Sequence, residues 1–183
     1  ERGHKTAIEF EGEPGDTRRL SYAELHAEVC RFANALLAQG VKRGDRVVIY
    51  MPLVPEIVVA MHACARIGAV HSVVFGGFSA PSLKDRIEDA GARVLVTADG
   101  GWRGGQVIVL EAAVDKALAA GCPTIERVIV LKRTGEAVGM KSQRDVWWHD
   151  VVEGQSPVCE PVWVDAEHPL FLLYTSRSAG EPK

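Results

Sequence analysis

Residues 46–75 read RVVIYMPLVPEIVVAMHACARIGAVHSVVF. Arg46 to Tyr50 is a short β-branched run, Pro55 suits the first turn of a helix, Gly68 closes that helix, and Val70 to Phe75 is a second strand. Strand, helix and strand at this spacing form a βα unit followed by its partner strand. Both strand runs are apolar without alternation, so both faces of their sheet must be covered. That predicts a parallel-rich sheet with helices on both faces, an α/β fold, rather than a stack of hairpins. Ile57 to Phe75 is also the nearest approach to a membrane span, but His62, Arg66, Gly68 and His71 interrupt it, which suits a core instead.

The same grammar extends in both directions. Upstream, KTAIEF (residues 5–10) and TRRL (residues 17–20) flank the turn-forming EGEPGD and predict a hairpin. Ser21 and Glu24 then have capping-box spacing, and Leu25, Val29, Phe32, Ala33, Leu36 and Leu37 follow at helical period up to Gly40. Downstream, Ser79 caps a helix through Ala90, Arg93 to Thr97 is a strand, Leu110 to Ala120 a helix stopped by Gly121, and Glu126 to Leu131 a strand. From Lys132 to Glu167 the pattern weakens into a long connection anchored by Trp147 and Trp148, both expected to pack rather than to stack on a ligand. Leu170 to Tyr174 is expected as a buried strand.

Composition narrows the class. The chain has 183 residues, 47% of them hydrophobic, and a net charge of −3. With no basic run, nothing in it would track a nucleic-acid backbone or an anionic membrane. Cys30, Cys64, Cys122 and Cys159 show neither CxxC pairing nor metal-ligand spacing, and are expected as buried, inert thiols of a reducing cytoplasm. His62, His71 and His149 have no acidic or metal-binding partner at helical spacing and are expected to be structural or solvated. Both ends, Glu1 and Lys183, read as internal to something longer.

The terminal strand runs into Thr175, Ser176, Arg177, Ser178, Ala179, Gly180, Glu181, Pro182 and Lys183. Small residues let amides approach phosphate oxygens, hydroxyls add donors, and Lys183 adds a mobile positive charge, so the loop suits a polyphosphate. Neither GxxxxGK[ST] nor GxGxxG after a strand occurs.

YTSRSAGEPK resembles the YTSGSTGxPKG phosphate loop of the adenylate-forming enzymes. The stretches LSYAELHAEVCRFANALLAQGVKRGDRVVIYMPLVPE, ACARIGAVHSVVFGGFSAPSLKDRIEDAGARVLVTADGGWRGG and RDVWWHDVV are similar to the acetyl-CoA synthetase branch, which includes propionyl-CoA synthetase. The resemblance covers nearly the whole chain. It implies that residues 1–183 are part of the large N-terminal domain of an AMP-dependent synthetase/ligase. It also implies a two-step reaction in which a carboxylate attacks the α-phosphate of ATP, releasing pyrophosphate, and the CoA thiol then displaces AMP. By position, the loop from Thr175 to Lys183 would hold the β- and γ-phosphates. Arg103, Gly104, Gly105 and Gln106 would contact the nucleotide end of CoA, where a guanidinium forks onto phosphate and glycines keep the backbone accessible. Gly76 and Gly77, after the Val70 to Phe75 strand, join them as CoA-site candidates at the C-terminal edge of the sheet. Magnesium is implied as well, with its ligands outside these residues, as are the acyl pocket and the catalytic Lys.

Two positions depart from that pattern. Arg177 stands where the family has Gly; if that Gly has positive φ, the replacement costs about 1–2 kcal/mol. Ala179 stands where it has Thr, and an unreplaced hydroxyl donor costs about 1–3 kcal/mol. The resemblance therefore implies a fragment with a weakened loop and an incomplete catalytic set. Its alternatives are a propionyl-CoA synthetase fragment, a CoA- or nucleotide-binding module without catalysis, and a structural remnant. Apolar surface is expected to be exposed where further sheet would pack. These 183 residues alone are expected to show no acetate- or propionate-dependent pyrophosphate release in a coupled assay; sustained turnover would contradict this.

Overall fold

The computed structural model describes residues 1–174; the candidate phosphate loop, Thr175 to Lys183, lies outside the described residues. An antiparallel hairpin opens the chain, β1 (Thr6–Glu11) with β2 (Thr17–Ser21). Its turn closes through Gly12 N–H to the Asp16 carbonyl at 2.7 Å, with Gly15 at a φ of 88° that glycine alone adopts cheaply. Helix α1 (Tyr22–Ala38) starts at the expected capping box: Ser21 Oγ accepts from Glu24 N–H, and Glu24 Oε2 accepts from Ser21 N–H at 2.8 Å.

The βα units follow in order: β3 (Arg46–Met51), α2 (Pro55–Arg66), β4 (Val70–Phe75), α3 (Ala80–Ala90), β5 (Val94–Ala98). A short antiparallel hairpin, β6 (Gly100–Arg103) and β7 (Gln106–Val109), precedes α4 (Glu111–Ala119), and β8 (Arg127–Leu131) returns to the sheet. The segment expected as a plain connection, residues 132–167, instead carries β9 (Asp145–Trp147) and α5 (Trp148–Val152). Three strand residues are too few for a periodic signal, which is why this part was illegible. Last comes β10 (Phe171–Leu172).

The main sheet has the order β10-β4-β3-β5-β8-β9, every pairing parallel. Along β3, Val47, Ile49 and Met51 pack with α1, α2 and α5, whereas Val48 and Tyr50 pack with α3 and α4. Strand β5 divides in the same way, Val94 and Val96 against Leu95 and Ala98. Both faces of the sheet are thus covered by helices, which explains the unbroken apolar runs.

Trp148 is 8% exposed and stacks on fully buried Phe32, centroids 3.7 Å apart and planes inclined by 13°. It welds α5 to α1. The four cysteines are unpaired and buried, and burial pushes the Cys64 thiol up to about 12.

One expectation needs correction. Strand β10 is not buried: Phe171 and Leu173 are exposed, as are Trp163 and Leu170, because this strand is the sheet edge and no described element covers it. His149 is solvated, its ring beside the exposed carboxylate of the next residue, Asp150, at 3.3 Å. Helix α4 ends before Gly121, and the residue with positive φ beyond it is Cys122, at 66°. A Cβ on Gly121 would lie 2.4 Å from Glu88 Oε1, so this side chain, which accepts the Cys122 N–H at 3.1 Å, would have to shift.

Trp148→Ala removes the largest side chain tying α5 to the core. The expected loss is about 3–5 kcal/mol, read as a lower urea midpoint at unchanged m.

Candidate functional site

In this strand order the chain leaves β3 toward one face through α2 and leaves β5 toward the other through α4. The sheet therefore switches direction between β3 and β5, and the crevice beyond the C-terminal ends of such strands is where open α/β sheets bind ligands. A cavity of about 360 Å³ lies there. Met51 and Pro52 from the end of β3, Gly76 and Gly77 after β4, and Trp102 and Arg103 from β6 form its walls.

Gly76 and Gly77 are required by proximity. A Cβ on Gly76 would lie 2.9 Å from the Met51 carbonyl oxygen, and one on Gly77 would lie 2.7 Å from Arg103 Nη1 and 2.6 Å from the Phe75 ring. Their turn is fixed from below by Tyr50, whose buried hydroxyl donates to the Phe78 carbonyl at 2.8 Å. Arg103 lies across the space that Gly77 leaves, its guanidinium 5.5 Å from the Phe75 centroid. It is exposed, and among the described residues no carboxylate pairs with it. Gly104 and Gly105 form the tip of the β6–β7 hairpin with φ of 60° and 75°, the two-residue turn that needs positive φ at both positions. Gln106 faces Arg103 across that hairpin but does not line the cavity.

Asp99 is the residue that sequence reading missed. It is fully buried without a cation, and its carboxylate accepts four backbone N–H groups: Gly100 at 2.7 Å, Arg133 at 2.8 Å, Thr134 at 3.0 Å and Gly135 at 2.7 Å. Its own backbone binds the Leu131 carbonyl and the Leu110 N–H. One residue thereby orients the start of the Arg103 hairpin and the loop after β8 through its side chain, and the start of α4 through its carbonyl. That loop delivers Arg133 to the cavity, where it holds Asp16 with N–H groups at 2.7 and 2.9 Å. The signal in the sequence was an Asp followed by two glycines at the end of an apolar strand.

A stack of aromatic rings and cations leads away from the cavity. Phe75 meets Phe78 edge-on at 6.0 Å, and Arg86 lies 4.6 Å over Phe78 and 5.3 Å over Tyr174. Tyr174, the residue before Thr175, donates its hydroxyl to Asp89. Burial, and that carboxylate, raise its phenol well above the usual value.

Among the described residues one group of carboxylates has metal-ligand spacing: oxygens of Glu111, Asp115 and Asp145 lie within 4.8 Å of one another. Lys141 Nζ donates to Asp115 at 2.9 Å, and Arg144 bridges Asp115 and Asp145. Glu111 is left inside without its own cation, and burial, with help from the two neighbouring aspartates, raises its pKa. Two cations against three acids make this an ion-pair network rather than an open coordination site.

Fold and cavity together define an open, doubly wound α/β domain with an anion-ready guanidinium at its switch point. Residues 1–183 match the family described as "AMP-binding enzyme", and the chain belongs to that family. It is 58% identical over 183 residues to the acetyl-coenzyme A synthetase of Methylobacillus flagellatus, covering all of this chain and 28% of that protein. It is 59% identical over 180 residues to that of Cupriavidus pinatubonensis, 98% of this chain and 27% of the relative. The structure is similar to that of acetoacetyl-CoA synthetase from Streptomyces lividans, with a TM-score of 0.82 and 31% identity over 93% of this chain and 26% of that one. The chain thus spans 28% of the length of its first curated relatives.

Asp99→Asn replaces an acceptor of four amides with a group that offers one oxygen and opposes the others with its own N–H. A loss of about 1.5–3 kcal/mol is expected, seen as a lower Tm.

Proposed function

We propose that this chain supplies the CoA-nucleotide site and the ATP phosphate loop of an acetate–CoA ligase that converts acetate, ATP and CoA to acetyl-CoA, AMP and pyrophosphate. The observation that carries the reading is the unpaired Arg103 guanidinium at the switch-point cavity, beside Gly76 and Gly77. The high identity to proteins named acetyl-coenzyme A synthetase supports it.

In the first step an acetate oxygen bonds to the α-phosphorus of ATP and the bond to pyrophosphate breaks. In the second, the CoA sulfur bonds to the acetyl carbon, AMP leaves with the carbon–oxygen electron pair, and the thiol proton passes to solvent or base. The part of these residues is binding and orientation. Arg103 forks onto a phosphate of CoA. The Phe75 ring, 5.5 Å from the guanidinium, limits its freedom before binding. Met51, Leu110 and Phe75 offer an apolar wall to the rest of the ligand. The loop from Thr175 to Lys183 is assigned to the β- and γ-phosphates from its sequence alone. Magnesium does not fit the one carboxylate group described, whose aspartates are committed to Lys141 and Arg144, and no step is routed through it.

Four unpaired, buried thiols support a reducing, cytoplasmic setting, and among the described residues no helix is long and apolar enough to cross a membrane.

Calorimetry with CoA tests the assignment. Arg103→Ala is expected to weaken CoA binding about 10- to 100-fold, the loss of one charge-assisted contact, while Tm stays unchanged. Equal affinity in both proteins would overturn it.

A further inference from the structure

The turn at Gly104 and Gly105 already holds an anion, and that anion belongs to the chain. With both glycines at positive φ, the Gly105 N–H points out of its hairpin, and Glu13 Oε1 accepts it at 2.7 Å. Glu13 belongs to the turn between β1 and β2, 92 residues away in sequence. Glu13, Arg103 and Arg133 all line the switch-point cavity.

The hairpin does not need this contact to stay in place. Arg133 grips Asp16 through two N–H groups and lies 5.6 Å over the Phe10 ring, pinning the base of the same turn. Glu13 is exposed, and among the described residues it has no cationic partner. It is a tethered carboxylate free to swing away while its turn stays anchored.

A carboxylate oxygen on a backbone amide makes the same charge-assisted hydrogen bond that a phosphate oxygen makes. A phosphate approaching Arg103 and the Gly105 amide therefore meets a like charge, and must displace it to gain the amide.

We propose that Glu13 is an intramolecular competitor for the anionic group of the ligand: it occupies the Gly105 amide when the site is empty and yields it when a nucleotide phosphate binds at Arg103. This rests on the reading of Arg103 as a contact for the nucleotide end of CoA. The competition sets specificity as well as affinity. A ligand without a phosphate at that end has nothing to exchange for Glu13, and leaves it seated.

The test combines calorimetry with amide NMR on the 183-residue chain, using CoA and adenosine 3′,5′-bisphosphate as probes. Glu13→Ala is expected to shift the Gly105 resonance, speed its amide exchange, and tighten both probes by about tenfold. Glu13→Gln keeps an acceptor but loses the charge, and is expected to fall between wild type and Glu13→Ala. Unchanged or weaker binding in Glu13→Ala, with Arg103→Ala still losing affinity, makes Glu13 a strut; the inference then falls and the CoA-site reading stands. If neither wild type nor Glu13→Ala binds a probe while the Gly105 resonance still moves, the site reading falls and takes the competition with it.

Discussion

A single buried carboxylate sets the geometry of the C-terminal edge of this sheet. Removing Asp99 from water without a cation is costly, and four backbone N–H groups offset that cost. The converse matters equally. Three of those amides belong to the loop after β8 and the fourth to Gly100 at the start of β6, and the carboxylate is the partner of each. Because Asp99 sits at the end of β5, the loop after β8 and the hairpin before α4 are referred to one point in the sheet. Arg133 and Arg103 ride on those two segments, so the relative position of the two cations follows from where Asp99 is.

The two arginines then have different fates for reasons of charge. Arg133 is half-buried and committed to Asp16, which lowers the Asp16 carboxyl through a direct hydrogen bond and raises the guanidinium in turn. Its strength is spent on tethering the β1–β2 turn. Arg103 is held by shape instead, over the Phe75 face and across the gap at Gly77. A cation held by a ring face keeps its N–H groups available, whereas one held by a carboxylate does not. That distinction separates an available guanidinium from a committed one in the same cavity.

Most of the fold was legible because it rests on strong local signals. The Ser21–Glu24 capping box, Pro55, Ser79 and the apolar runs of β3, β4, β5 and β8 each placed an element within about a residue or two. The parallel sheet followed from the absence of alternation in those runs. What was missed shares one cause. GGWR and QVIV are four-residue strands joined by two glycines, and DVW has three residues, so neither has a period to detect. The exposure of β10 was illegible for another reason: LFLLY looks like a buried strand, and edge position is a property of the whole sheet. At the site, Arg103 was expected through resemblance and Gly76 and Gly77 from their place at the C-terminal edge of the sheet, and all three line the cavity. Asp99, Arg133 and Glu13 were not expected, because their roles depend on contacts spanning 34 to 117 residues.

The cation and ring stack gives those long contacts a direction. Arg103, Phe75, Phe78, Arg86 and Tyr174 follow one another at 4.6–6.0 Å, from the cavity to the residue that precedes the Thr175 loop. Each step alone is worth about 0.5–2 kcal/mol. Their arrangement matters more than their sum, because Arg86 lies over two rings from two different segments and cannot shift against one without shifting against the other. Gly77 stands at the start of that series: a side chain there would meet both Phe75 and Arg103. The sequence signature GGF is accordingly a packing feature, the missing Cβ of Gly77 leaving the space that the Arg103 guanidinium lies across.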